Sequence, residues 1–298
     1  MLVLVAVVAC RNEPPPPAPR PPGATPRTEA VVVGATDPGL TITYLANEGV
    51  LLAAGGVRVI IDGLHRPNDL GYAVLPDRDR AALEDALPPW DGIDLVLVSH
   101  LHRDHFHAEA VGQHLARAAG ARLVSSEEVV GLIAQGFPDW GSIHDRVRAI
   151  PWAVGRTETV EAGGARVTFI GLSHGSGRFA TVQNFGHLIE LGGWKVFHGG
   201  DAVPSVENFA ASGLAEAGVD VALLPWWHLA SDEAAAVVRA HVRPAQTVLI
   251  HVAPHEEEDA AAAIAARDPG ARLFRTMLAD QLHVPAATTA PAAGARSR

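Results

Sequence analysis

Four potential metal ligands occupy six positions in Ser99-His100-Leu101-His102-Arg103-Asp104-His105, at the end of the apolar run 93–99. Imidazole nitrogens and carboxylate oxygens hold Zn²⁺ and similar borderline cations, and a loop at a strand end can wrap several of them around one ion. His100 and His102 are two residues apart, so in extended chain both point to one side. Asp104 and His105 follow where the chain turns toward a helix, placed to face a second ion. The bland alternative is a polar loop that is histidine-rich by chance. Against it, a buried strand has no other reason to end in this set of side chains. No protein nucleophile is signalled, because there is no GxSxG sequence and the single cysteine is Cys10.

The elements that must position this run alternate along the chain. Residues 40–45, 49–54 and 57–62 show strand patterns broken by glycine and read as an antiparallel meander. A helix over 78–87 ends at Pro88-Pro89, and 93–99 reads as a buried strand, followed by helices over 108–119 and 126–135. Two hairpins come next, 158–174 turning at Gly163-Gly164 and 184–198 turning at Gly192-Gly193. The last third alternates helices (205–217, 231–242, 257–266) with strands (219–225, 247–252, 271–276). The expectation is an α/β domain of two sheets covered by helices.

Composition narrows the function classes. The 298 residues carry 23 basic and 33 acidic side chains, a net charge of −10, which leaves no basic footprint for nucleic acid. Residues that are 48% hydrophobic suffice for a buried core and exclude global disorder. One cysteine excludes an internal disulfide framework and cysteine-based zinc or iron–sulfur sites. Fifteen histidines are therefore the compositional anomaly.

Residues 1–10, MLVLVAVVAC, are too short for a membrane span and read as a signal peptide ending in a lipobox-like cysteine, with Cys10 as the lipidation point. A buried first strand with a chance cysteine is the alternative. Residues 11–28 form a proline-rich linker, 29–285 the folded domain, and 286–298 an alanine-rich tail expected to be disordered. This organisation predicts attachment to the bacterial cell envelope through the N-terminal lipid alone, or a cytoplasmic protein if the run is not a signal. It leaves the oligomeric state open.

The run His100-x-His102-x-Asp104-His105 resembles the HxHxDH motif of the metallo-β-lactamase fold superfamily, and the order of later elements is similar to the branch with ascorbate-phosphate lactonase and N-acyl-phosphatidylethanolamine phospholipase D. The resemblance covers nearly all of 40–276 and implies a four-layer αββα sandwich with a dinuclear metal site. It further implies a third histidine at a mid-chain strand end, His174 in FIGLSHGSG, a bridging carboxylate, Asp201 in KVFHGGD, and a last histidine, His251 in TVLIHVAP. Site one is then His100, His102 and His174, and site two Asp104, His105 and His251, with Asp201 shared. Asp62 matches a carboxylate that orients a ligating histidine, the alternative being a turn cap before Gly63. His228 stands where a pocket contact and simple packing are equally open. His198 is read as structural. His65, His107, His187 and His255 are undivided between site and solvent, and His114, His144, His241 and His283 are given no role.

Two such ions share a water, lower its pKa and hold the hydroxide in line with an electrophilic carbon or phosphorus. Asp104 is the candidate catalytic carboxylate, orienting that hydroxide or passing a proton to the leaving group. The cofactors are two divalent ions, with Zn the default and Mn or Fe compatible with a thiolate-free ligand set. The expected function is hydrolysis of an ester, lactone or phosphodiester in a small-molecule or lipid-like substrate. β-Lactamase and nuclease roles are disfavoured by the absence of a cysteine ligand and by the acidic charge. The rival from another class is a non-catalytic envelope lipoprotein that binds metal or ligand on the same fold. An oxidoreductase on that fold is a third reading, weakened because its di-iron versions typically replace a motif histidine with glutamate.

Overall fold

The computed structural model describes residues 39–285. Cys10, the proline-rich 11–28 and the tail 286–298 lie outside the described residues. Among the described residues no helix is long and apolar enough to cross a membrane.

The chain opens with β1 (Leu40–Ala46), β2 (Gly49–Ala54) and β3 (Val57–Ile61), then α1 (Asp77–Glu84), β4 (Leu95–Leu97), α2 (Ala108–Arg117), β5 (Arg122–Ser126), α3 (Glu127–Gly136) and β6 (Val147–Ile150). The second half runs β7 (Thr157–Ala162), β8 (Ala165–Leu172), β9 (Asn184–Leu191), β10 (Trp194–His198), the one-turn helices α4 (Val206–Phe209) and α5 (Leu214–Ala217), and β11 (Val221–Pro225). It closes with α6 (Asp232–Val237), β12 (Gln246–Ile250), α7 (Glu257–Arg267), β13 (Arg272–Leu273) and β14 (Gln281–Val284). One sheet is ordered β14-β1-β2-β3-β4-β5-β6 and the other β13-β12-β11-β10-β9-β8-β7.

Each sheet is antiparallel in one half and parallel in the other. The meander β1-β2-β3 continues into parallel β4, β5 and β6, and β7-β8-β9-β10 into parallel β11, β12 and β13. Parallel strands need covering on both faces, and their buried residues obey a period of two even in β4 and β11, which are apolar throughout. Val59, Ile61, Leu95 and Leu97 join Val221, Leu223, Val248 and Ile250 in the cluster between the sheets. The alternate residues Ile60, Val96 and Val98 pack under the helical layer that includes α2 and α3. Ala222, Leu224 and Leu249 do the same on the opposite outer face. The result is the expected αββα sandwich.

The structure adds three strands that the sequence patterns did not reveal. β5 ends in Ser125-Ser126, and Ser126 accepts a hydrogen bond from the Val129 amide as the N-cap of α3, so its polar end reads locally as a helix start. β6 is half exposed and carries little apolar pattern. β14 is a strand only because it pairs with β1, Leu40 opposite Val284. The helix expected over 205–217 is two single turns, with Gly213 left-handed at φ 75° between them.

One buried group makes a testable stability statement. His187 on β9 faces the intersheet core, 5.1 Å from the Phe169 ring, and neither ring nitrogen has a hydrogen-bond partner. Burial, with His198 nearby, pushes its pKa down to about 3. The unfolded chain takes up this proton near pH 6.5 and the folded chain does not. Its stability contribution is thus complete above pH 6.5 and lost as pH falls toward 3, at up to about 1.4 kcal/mol per pH unit. His187→Phe is expected to stabilise the fold by about 1–3 kcal/mol at pH 7 by removing unpaired nitrogens, and to flatten the acid limb in urea melts taken between those pH values. A less stable variant would mean that the ring nitrogens are satisfied.

Candidate metal centre

All the ligands nominated in the sequence lie at the same edge of the sandwich, just past the C-terminal ends of their strands. His100, His102, Asp104 and His105 follow β4, His174 follows β8, Asp201 follows β10 and His251 follows β12. Because β8 and β10 are both antiparallel to β9, and β10 is parallel to β11 and β12, these ends point the same way. The turn between β1 and β2 reaches the same edge. Gly200 allows the approach of β10: at φ 50°, a Cβ there would lie 2.5 Å from Asn184 Oδ1, and that oxygen instead accepts the Asp201 amide at 3.1 Å.

The ligand atoms form two clusters. In the first, His102 Nδ1 is 2.9 Å from His100 Nε2 and 3.1 Å from His174 Nε2, while Asp201 Oδ2 is 3.3 Å from His174 Nε2 and 3.7 Å from His100 Nε2. In the second, Asp104 Oδ2 is 3.5 Å from His105 Nε2 and 3.4 Å from His251 Nε2. Asp201 Oδ1 lies 3.4 and 3.3 Å from the same two nitrogens. A tetrahedron with metal–ligand bonds of roughly 2.0–2.1 Å has edges of about 3.3–3.4 Å. His105 Nε2, His251 Nε2 and Asp201 Oδ1 are moreover buried with no hydrogen-bond partner, a costly state that a cation relieves. The residues fit two metal ions.

Around the ligands, a hydrogen-bond relay sets ring orientation. Asp62, left-handed at φ 48° just past β3, accepts the Ser99 amide on Oδ1 at 2.7 Å. Its Oδ2 accepts His105 Nδ1 at 2.9 Å and the Ser99 hydroxyl. The Ser99 oxygen, having donated its proton to Asp62, accepts from His100 Nδ1 at 2.9 Å. Both rings therefore carry hydrogen on Nδ1 and turn the Nε2 lone pair inward. Asp62 thus holds one ligand of each cluster, directly or through Ser99. Burial opposes its ionisation, but His105 and His198 hold its pKa below the usual carboxylate range.

Two buried residues of the β1–β2 turn complete this support, and sequence reasoning passed over both. Asn47 Nδ2 donates to Asp104 O at 3.1 Å and to Asp104 Oδ2 at 3.2 Å, and Asn47 O accepts the His251 amide at 3.0 Å. Glu48 is wholly buried, with Oε2 3.5 Å from His105 Nδ1. Burial and the nearby Asp201 push its carboxyl well above the ordinary range. An Asn-Glu-Gly turn between strands reads as exposed turn chemistry, and only its burial marks it as part of the site. Asn47, Asp62 and His251, all at this site, are three of the six described non-glycine residues held at positive φ.

Electrostatics separate the ligands without an ion present. Burial works against charge on His251, but Asp201 and Asp104 raise it to about 10. Burial lowers His102 to about 4, helped by His174 and His105. Asp104 and Asp201 stay ionised despite burial because His105 and His251 face them. Above the ligands opens a cavity of about 750 Å³, lined by His102, Asp104, His174, Asp201, Tyr72 and Trp227 among others. Burial raises the Tyr72 phenol to about 12, so it remains a donor beside His251, 4.4 Å between ring centroids.

Other histidines resolve into structural roles. His228 does not line the cavity: it is buried, donating from Nδ1 to Pro225 O at 3.2 Å, and its neighbour Trp227 takes the pocket position instead. His198 Nε2 donates to Glu48 O at 3.1 Å beneath the site. His65 is buried near Asp104 and His105, with its pKa lowered to about 4 by burial. His107 N-caps α2, accepting the Ala110 amide, and His255 is exposed. His114 lies in the core and donates to Leu83 O at 2.6 Å.

Two mixed sheets between helical layers, with a histidine–aspartate centre at one edge, define a metallo-β-lactamase fold with a metal-binding site. Residues 74–266 match the beta-lactamase superfamily domain, and the chain belongs to that family. It is 27% identical over 219 residues to a UPF0173 metal-dependent hydrolase of Aeropyrum pernix, covering 70% of this chain and 81% of the relative. A UPF0173 metal-dependent hydrolase of Thermus thermophilus is 26% identical over 239 residues, or 77% of this chain and 92% of that one. Among solved structures, Igni18, a metallo hydrolase from Ignicoccus hospitalis, aligns with a TM-score of 0.53 at 21% identity, over 83% of this chain and 98% of that chain. CmlA, a diiron beta-hydroxylase from Streptomyces venezuelae, aligns with 0.53 at 16% identity, over 84% of this chain and 54% of that chain. One fold thus carries both hydrolysis and oxygen chemistry, so fold likeness alone does not choose between them. The family model places the chain in the beta-lactamase superfamily, and the curated relatives it resembles are metal-dependent hydrolases.

Proposed function

We propose that the chain is a dinuclear hydrolase acting on an ester, lactone or phosphodiester bond. The observation that carries the reading is the division of Asp201 between the clusters, Oδ2 toward His174 and Oδ1 toward His105 and His251. When bound, two divalent ions lower the pKa of a shared water toward neutrality and polarise the substrate oxygen. His100, His102 and His174 hold the first position, and Asp104, His105 and His251 the second. Asp104, ionised and steadied by Asn47, orients the attacking water and accepts its proton for delivery to the leaving group. Tyr72 offers a hydrogen bond to substrate oxygen from the cavity wall.

The test loads purified protein separately with Zn²⁺, Mn²⁺ and Fe²⁺, counts metal by mass spectrometry and screens p-nitrophenyl esters, lactones and bis(p-nitrophenyl) phosphate. Two equivalents of metal with turnover are expected, and zinc uptake at pH 7 should release protons because His251, raised to about 10, must give up its own. One equivalent or none, without turnover, would overturn the reading in favour of a non-catalytic binding protein.

A further inference from the structure

Beyond its ligands, the cavity has an apolar wall formed by Leu70, Tyr72, Leu101, Phe179, Val203 and Trp227. It contains two arginines with different surroundings. Arg103 is paired with Asp69 at 2.6 Å. Arg178 has no hydrogen-bond or ion-pair partner among the described residues; its guanidinium carbon lies 4.7 Å from the Phe179 ring centroid. Phe179 in turn stacks on the ligand His174, 4.9 Å away and within 5° of parallel. An aromatic ring therefore spaces a free guanidinium from the metal centre.

Stacking on Phe179 steadies Arg178 but leaves its N–H fork unused, and that fork matches a carboxylate or phosphate in a bidentate manner. The pocket carboxylates do not compete for it, since Asp104 and Asp201 are turned to the histidines. A net charge of −10 repels anions at long range, but this field fades over roughly 8 Å at physiological salt, leaving the local cation to decide at contact. We infer that the site selects an amphiphilic organic anion: an apolar body against the wall, the scissile bond over the ligands, and a non-reacting negative group on Arg178. This rests on the hydrolase reading above and names the substrate class within it.

A matched pair of esters tests it, mono-p-nitrophenyl succinate and p-nitrophenyl butyrate, which share a leaving group and differ in a terminal carboxylate. With metal-loaded full-length protein, wild type is expected to prefer the succinate in kcat/KM. Arg178→Ala should lower that preference about tenfold, the worth of one charged hydrogen-bonded contact, Arg178→Lys should keep part of it, and Arg178→Glu should invert it. An unchanged preference in the alanine and glutamate variants would overturn the assignment. If wild type hydrolyses neither ester, ester hydrolysis is what fails, and calorimetry with 4-phenylbutyrate and 4-phenylbutanol judges Arg178 separately. Carboxylate affinity about tenfold weaker in Arg178→Ala, against the alcohol as reference, supports the subsite, and equal losses or none refute it.

Discussion

Asp201→Ala is expected to lose both metal ions and to lower kcat/KM by about 10³-fold or more, since several kcal/mol of transition-state stabilisation depend on the pair. The expectation follows from geometry: among the described residues no other side chain gives an oxygen to each cluster. Removing it also leaves Asp104 as the carboxylate that faces Nε2 of both His105 and His251. In the metal-free variant His251 should therefore fall below its pKa of about 10, which NMR titration of the ring would follow. Metal counts by mass spectrometry and activity on the best ester found by screening are the principal measurements. A variant that keeps two equivalents of metal and full activity would remove Asp201 from the centre. Near-ultraviolet circular dichroism separates loss of metal from loss of fold.

Asp62→Asn should be nearly as informative although Asp62 is not placed as a ligand of either ion. The carboxylate accepts three hydrogen bonds, from the Ser99 amide, the Ser99 hydroxyl and His105 Nδ1. An amide keeps one acceptor oxygen and presents two N–H groups where acceptors are needed, so either His105 or the Ser99 hydroxyl must turn away. Loss of such an orienting partner costs about 10–100-fold in metal affinity. Both positions should weaken, the second through His105 and the first through Ser99 and His100. Ser99→Ala removes only the second branch and should affect chiefly the first position. Chelator competition, reading the two equivalents separately, checks this. Equal affinities in wild type and Asp62→Asn would reduce Asp62 to the turn cap that is its alternative reading.

The legibility of this centre follows the range of the interactions involved. His100, His102, Asp104 and His105 are adjacent in sequence, so strand periodicity and ligand chemistry suffice to nominate them. His174, Asp201 and His251 are each an unremarkable strand-end residue, and resemblance to a family was needed to select them. Hairpins such as β7-β8 and β9-β10 were readable because their glycine turns and strand patterns are local. β14 was not, because its strand character depends on β1, more than 230 positions away.

Local pattern, ligand type and order along the chain were thus sufficient for the layered fold and the first ligand run. Folding alone brought Asn47 to Asp104 and His251, buried Glu48 behind His105, put Trp227 rather than His228 in the cavity and left Arg178 without a carboxylate partner among the described residues. The physical reason is that hydrogen-bond satisfaction, burial and charge pairing belong to contacts between distant segments, and a side chain's type does not reveal which partner reaches it.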